Sequence, residues 1–548
     1  MNQCVVGIVR ASRRGRPVAW ANTHKLEWGT RYGWTEGYNN SVAYATDYYH
    51  EQSPTYLNAC LVMQRVSPPS IEKFNYCELG FGQGLTSPIL AATHPQGDFY
   101  ACDFNSLHVL AAAPVRDEAK LPNLTLLENS FGELAQGAVE LPMFDYITMH
   151  GIISWISDET RAQIVQFLKR YLKPGGVVQV SYNAMPGLAQ VQPLQRLLMR
   201  GAAKGGDAWS GALELATKLA DLDALHFKRN PDSLARVQGF PGLDPSYLVH
   251  EYLHEKWTPF FFADIARELA NAKLSFAGSA RFPHMAPVGW LTNAQRQLLD
   301  TVTDPIEAEE LRDYFSNRAF RSDIFVRGKA ALSDIRLREQ AEHIHLWGNR
   351  SVSFKPVVEL EHATVTRGGP YHQPLFDRLH RSEMTLAELF DAPEVASVDM
   401  DGVLKLVRLS IAVGETSFRY GAVQTRASAD RLNAVLLSRA EQGEKRNALA
   451  SPRPGGGAGV GTLDLLMMAS LHEKADRKKA LSKDMDELTA RVTRSLAAVG
   501  MQLRVGDVEV APGDITRRTG HIFEDSGKTL IAHATELGFW AAQKAATR

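Results

Sequence analysis

Between residues 75 and 182, five short apolar runs alternate with helix-like segments. This alternation constrains the fold more than any other feature of the chain. The runs are Tyr76–Leu79, Phe99–Cys102, Leu124–Leu127, Tyr146–Met149 and Val177–Val180. They are nearly all apolar, as strands covered by helices on both faces must be. Between them, Leu85–Thr93, Ser106–Glu118 and Arg161–Tyr171 read as helices. Strand and helix repeated in this way predict an α/β fold with a doubly wound, mostly parallel sheet. Two later runs, Leu274–Gly278 and Asp323–Arg327, are expected as closing strands of the same sheet. They follow a more polar helical stretch, 186–250, expected as an insertion over the substrate side.

The first run leads into Glu78-Leu-Gly80-Phe-Gly82-Gln-Gly84, and a helix follows at once. Glycines there let the backbone turn sharply and approach a ligand, beside a helix N-terminus that favours acidic groups. A pyrophosphate loop wants GxGxxG, with a small residue at position 85; this chain has Leu85. The spacing is GxGxG with an acid two residues ahead, the pattern used for S-adenosylmethionine. Glu78 would help hold the ammonium of that molecule and the loop N–H groups its carboxylate. Asp103 ends the second strand, where a carboxylate can accept ribose hydroxyls. Asn129, Ser130 and Phe131 end the third and are candidates for adenine contact. His150 and Gly151 end the fourth. Each lies at the carboxyl end of a strand, where such sheets bind ligands.

These stretches, ELGFGQG, CDFN, NSF, FDYITMHGIISWIS and LKPGG, resemble the class I S-adenosylmethionine-dependent methyltransferases. Two downstream stretches narrow the likeness. His250–Ala280 and Arg312–Gly328 resemble the methyltransferase regulatory domain, a pairing similar to rickettsial outer-membrane-protein lysine methyltransferases. The resemblance covers about residues 40–330. It implies a seven-stranded Rossmann-like sheet, S-adenosylmethionine as cofactor, and transfer of a methyl group to a protein side chain, a lysine amine being favoured. Small-molecule or natural-product methylation is the alternative. A non-catalytic cofactor-binding interaction protein is the third reading.

A lysine amine must arrive deprotonated, because an ammonium has no lone pair. His150, Tyr182 and Asn183 are the catalytic candidates; an ordinary histidine pKa near about 6.5 would let His150 take a proton at neutral pH. Tyr48 and Tyr49 are expected to cover the sulfonium, and Trp155 to wall the pocket. His250-Glu-Tyr-Leu-His254 matches the letters of a zinc motif. No third ligand follows at a suitable spacing, so no metal is expected.

The remaining organisation reads as a disordered leader over 1–40, a methyltransferase core over 41–185 and a regulatory region over 186–335. Beyond these come mixed α/β regions: an accessory domain over 341–450, a flexible linker over 451–461 (SPRPGGGAGVG) and a C-terminal domain over 462–548. The length of chain after 340 favours a macromolecular acceptor. Four cysteines, none in a CxxC pair, argue against a disulfide framework and fit a reducing, cytoplasmic setting. A net charge of −1 supplies no global field for nucleic acid, and no apolar run approaches the roughly 18 residues that span a bilayer. Neither nucleic acid nor membrane insertion is expected.

Overall fold

The computed structural model describes residues 8–10, 46–203, 207–243, 245–285, 291–360, 363–367, 369–423, 425–499, 501–505, 508–510 and 514–540. Its centre is a sheet of seven strands: β1 (Phe74–Leu79), β2 (Gly97–Asp103), β3 (Leu124–Glu128), β4 (Phe144–Met149), β5 (Leu172–Asn183), β6 (Leu274–Ser279) and β7 (Phe320–Arg327). Their order is β3-β2-β1-β4-β5-β7-β6. The strands from β3 to β5 are parallel, and β7 runs antiparallel to both β5 and β6. Both closing strands therefore belong to the sheet, as expected.

One boundary differs. Lys173–Gly176, taken as a turn before the fifth strand, is a bulge inside it. Phe144 pairs with Leu172 and Tyr146 with Val177, so the segment bows out opposite Asp145 alone, with Gly175 at φ +78°.

Alternate strand residues feed two cores. Tyr76, Phe99, Tyr146 and Val177 face one side; Cys77, Cys102, Ile147 and Val178 face the other. The first side is covered by α1 (Pro54–Met63), α2 (Thr86–Thr93) and α3 (Ser106–Glu118). The second is covered by α4 (Phe131–Gln136) and α5 (Asp158–Tyr171), joined by Phe262–Ala270. The insertion is helical and contains α6 (Gln192–Ala202), α7 (Ala208–Asp221), α8 (Leu225–Arg229), α9 (Pro231–Gly239) and α10 (Pro245–Tyr252). It has its own core around Trp209, Phe240, Leu248 and Tyr252.

The region after 340 does not stand apart. The core on the α1 side runs on without a break through Leu346, Leu436 and Leu466 to Trp540. Helix Ala427–Glu441 packs on α2 and α3. The expected linker is also overturned. Ala448–Ser451 and Gly456–Gly459 form an antiparallel hairpin, with Ser451 fully buried. Its glycines lie close against other chain segments: a Cβ on Gly456 would stand 2.5 Å from the Tyr48 hydroxyl. Glycine here answers a packing need, not a need for flexibility.

Of the leader, only Ile8–Arg10 is described, as a strand antiparallel to Met501–Val505; the rest of 1–40 lies outside the described residues. Cys60, Cys77 and Cys102 are buried free thiols, and Cys4 lies outside the described residues.

Candidate active site

The carboxyl ends of β1, β2 and β4 open into one cleft. The glycine loop forms its floor. Gly80 N–H and Phe81 N–H both donate to Cys102 O, at 2.7 and 3.2 Å, which seats the loop on the end of β2. Gly80, Gly82 and Gly84 have φ of +74°, +56° and +68°, a region that side-chain-bearing residues rarely enter. The glycines serve different ends. A Cβ on Gly80 would meet Ile152 at 2.3 Å and one on Gly84 would meet Ala112 at 2.7 Å, whereas one on Gly82 would meet nothing within 4 Å. The space beside Gly82 is therefore open to the cleft.

Asp103 is the hub of the loop. Its Oδ2 accepts from Gly82 N–H at 2.9 Å and lies 3.1 Å from His108 Nδ1; its Oδ1 accepts from Asn105 N–H at 2.9 Å. Glu78 is buried and accepts from the Ser87 hydroxyl. Burial pushes its pKa up to about 7, against the lowering effect of hydrogen bonds from Ser87 and Gln52. Ser130 caps α4 in a reciprocal capping box with Glu133, and Phe131 follows on the cleft wall. Gly151 N–H donates to Ser181 Oγ at 2.9 Å, fixing the turn after β4.

His150 lies on the cleft wall. Tyr49 stacks on it with ring centroids 3.5 Å apart and planes 16° apart, and Phe320 flanks it at 5.9 Å. Burial pushes the imidazole down to about 4, although Glu51 works in the opposite sense. His150 is thus neutral at pH 7 but a much weaker base than its sequence position suggests.

The cleft brings together Glu78, Gly80, Gly82, Gly84, Asp103, Ser130, Phe131, His150, Gly151 and Trp155. Four expected residues are not on its wall. Asn129 lies behind it, its carbonyl accepting from Cys102 Sγ at 3.0 Å. Tyr182 points the other way: its hydroxyl donates to Asp323 Oδ2 at 2.8 Å, beside the buried Arg321 that also binds Asp313 and Glu309. The carboxylate draws it into a structural ion network. Asn183 is buried, its N–H donating to Ser154 Oγ at 2.9 Å. Tyr48 turns away, its hydroxyl accepting from Gly457 N–H at 2.7 Å. Successive residues of an extended segment face opposite sides, so Tyr49 and not Tyr48 reaches the cleft.

Thr86, His108, His250 and His254 also line the cleft and were not assigned to it from sequence. Thr86 follows the glycine loop directly, which was the available signal, and its Oγ1 accepts from Tyr49 N–H at 3.2 Å. His250 and His254 arrive from α10 and the turn after it, and no local pattern places them there. Their rings are 5.9 Å apart, and His254 lies 5.1 Å from Trp155. Burial, aided by His250, pushes His254 down to about 3; burial pushes Glu251 up to about 7. Among the described residues, no group of three or more His, Cys, Asp or Glu side chains is placed to hold a metal ion.

Fold and cleft define a methyltransferase. A family model described as a methyltransferase domain matches residues 77–178, and one described as a predicted methyltransferase regulatory domain matches 244–327. The Synechocystis protein sll1526 is 32% identical over 460 residues, covering 81% of this chain and 89% of that protein. Rickettsia prowazekii RP789 is 23% identical over 296 residues, covering 52% of each. PKMT2 from Rickettsia typhi, solved in complex with AdoHcy, superposes with a TM-score of 0.64 over 90% of this chain and 99% of that one, at 17% identity. The chain belongs to the S-adenosylmethionine-dependent methyltransferases that carry the regulatory domain. S-adenosylmethionine is its cofactor. The cleft fits that group: it has an open cradle at Gly82, a buried acid at Glu78 and a second acid at Asp103.

Proposed function

We propose that the enzyme methylates a protein side chain, a lysine amine above all. The observation that carries this reading is the fold shared with PKMT2 from Rickettsia typhi, which spans 90% of this chain and 99% of that one. Burial pushes the His150 imidazole down to about 4 and the Glu78 carboxyl up to about 7, so an amine entering beside them loses water as well. The same desolvation lowers the pKa of an entering lysine ammonium and favours the neutral amine that can react. The resemblance to rickettsial lysine methyltransferases supports the same reading.

When bound, S-adenosylmethionine would supply an electrophilic methyl group to an amine lone pair, with its sulfur as the leaving group. The Gly80 and Gly82 N–H groups, expected to take its carboxylate, are engaged by Cys102 O and Asp103, so the loop would supply the space beside Gly82, Glu78 would face the ammonium, and Asp103 the ribose. Ser130 and Phe131 would border the base. Tyr49 and His150 form a stacked wall that excludes water and fixes the approach of the acceptor; alignment is the chief demand of an in-line displacement. The proton of the methylated amine leaves with the product and is lost in bulk solvent, because His150 is too weak a base to keep it.

The test is incubation of the enzyme with methyl-tritiated donor and host lysate, followed by separation of protein from small molecules. Label in protein, mapped by mass spectrometry to methylated lysine, is the expected result. Label confined to small molecules would transfer the assignment to the alternative acceptor class.

A further inference from the structure

A second cavity lies on the other side of the segment Tyr48–Glu51. Glu51, Tyr56, Arg281, Phe282 and Phe418 line it, and backbone of Pro454–Gly457 closes one side. Its walls are aromatic: Tyr56 lies 5.7 Å from Phe282 and 5.4 Å from Phe418, which are themselves 5.0 Å apart. The Tyr56 hydroxyl is already engaged, donating to Ala280 O at 2.7 Å, so the ring presents carbon to the cavity. Among the described residues, the carboxylate on the wall is Glu51, at 12% side-chain exposure, with His50 Nδ1 at 3.5 Å. Burial works against its charge, but His50, His150 and Arg281 together hold its pKa below the ordinary glutamate range. On the donor side of the same segment stands His150, whose Nδ1 is buried with no hydrogen-bond partner among the described residues.

A hydrocarbon stem ending in an ammonium suits aromatic walls leading to a carboxylate. We infer that this cavity admits the acceptor lysine side chain and passes its amine by Glu51 to the donor cleft at His150. The inference rests on the protein-lysine reading above. It also gives the region after 340 a direct part in acceptor choice, since Thr416–Phe418 and Pro454–Gly457 supply wall that the methyltransferase sheet does not.

The test uses the full chain, methyl-tritiated S-adenosylmethionine and host lysate proteins. Ser417→Trp fills the cavity from a strand remote from the glycine loop, and Phe418→Ala removes one wall. Donor affinity by calorimetry is expected to stay within about twofold of wild type in both, which also reports folding. Protein labelling is expected to fall at least tenfold in Ser417→Trp and severalfold in Phe418→Ala. Glu51→Gln is expected to raise the lysate concentration needed for half-maximal labelling. Wild-type labelling by Phe418→Ala, or by a donor-binding Ser417→Trp, would overturn the channel while leaving the lysine reading intact. Absence of protein label with the wild-type enzyme would overturn both.

Discussion

The Tyr48 hydroxyl accepts a hydrogen bond from Gly457 N–H at 2.7 Å, joining residues 409 positions apart. Ser53 and Thr55 reinforce the join, donating to Gly455 O at 2.7 and 2.6 Å, and the Asn447 amide donates to Asp47. The segment that carries Tyr49 into the donor cleft is thus held by the C-terminal hairpin.

That clamp makes donor binding depend on the far end of the chain. Tyr48→Phe removes one buried acceptor, worth about 1 kcal/mol, and should weaken donor affinity severalfold. Gly456→Val, colliding with the Tyr48 hydroxyl, should weaken it further. Deleting 341–548 would expose the outer apolar faces of α1, α2 and α3, on which that region packs. The truncated chain should aggregate or unfold; circular dichroism and calorimetry check this, and a folded, donor-binding truncation would refute it.

Gly82→Val should lower donor affinity by at least a hundredfold. The new side chain is strained at φ +56° and occupies the open space beside the loop. Calorimetry with S-adenosylmethionine reads the loss; NAD should bind neither form.

Donor affinity should fall as pH drops below about 7. Glu78 is raised to about 7, so it is protonated at pH 6, and a cationic ammonium binds the carboxylate form. The limiting slope is roughly tenfold per pH unit. Glu78→Gln should bind more weakly and lose the slope. A wild-type affinity flat between pH 5.5 and 7.5 would rule out pairing of Glu78 with the ligand.

Chelators should leave methyl transfer unchanged, and elemental analysis should find less than one zinc per chain. His250 and His254 share the cleft, but Glu251 is pushed up to about 7 by burial and no third ligand is placed beside them among the described residues.

Arg321→Met should destabilise the protein by about 3–5 kcal/mol. It leaves Asp323 buried without the guanidinium that faces it and Asp313 with Arg318 alone. Thermal melting reads the loss, and a melting temperature within 1 °C of wild type would refute it.

Local spacing alone predicted which strand-end residues share the cleft, Asn129 excepted. ExGxGxG, Asp103, Ser130-Phe131 and His150-Gly151 sit at successive strand ends, and parallel strands converge there by geometry, so chain order predicts a shared cleft. The closing strands were legible for the same reason: apolar runs of strand length must be covered. Tertiary structure decided what depends on contacts distant in sequence. Tyr182 was lost to Asp323 and Tyr48 to Gly457. Gly455–Gly457 reads as flexible until Ser53, Thr55 and Tyr48 are packed against it. A side chain's direction is set by the partner that satisfies it, and those partners lie up to 409 residues away, beyond any local pattern.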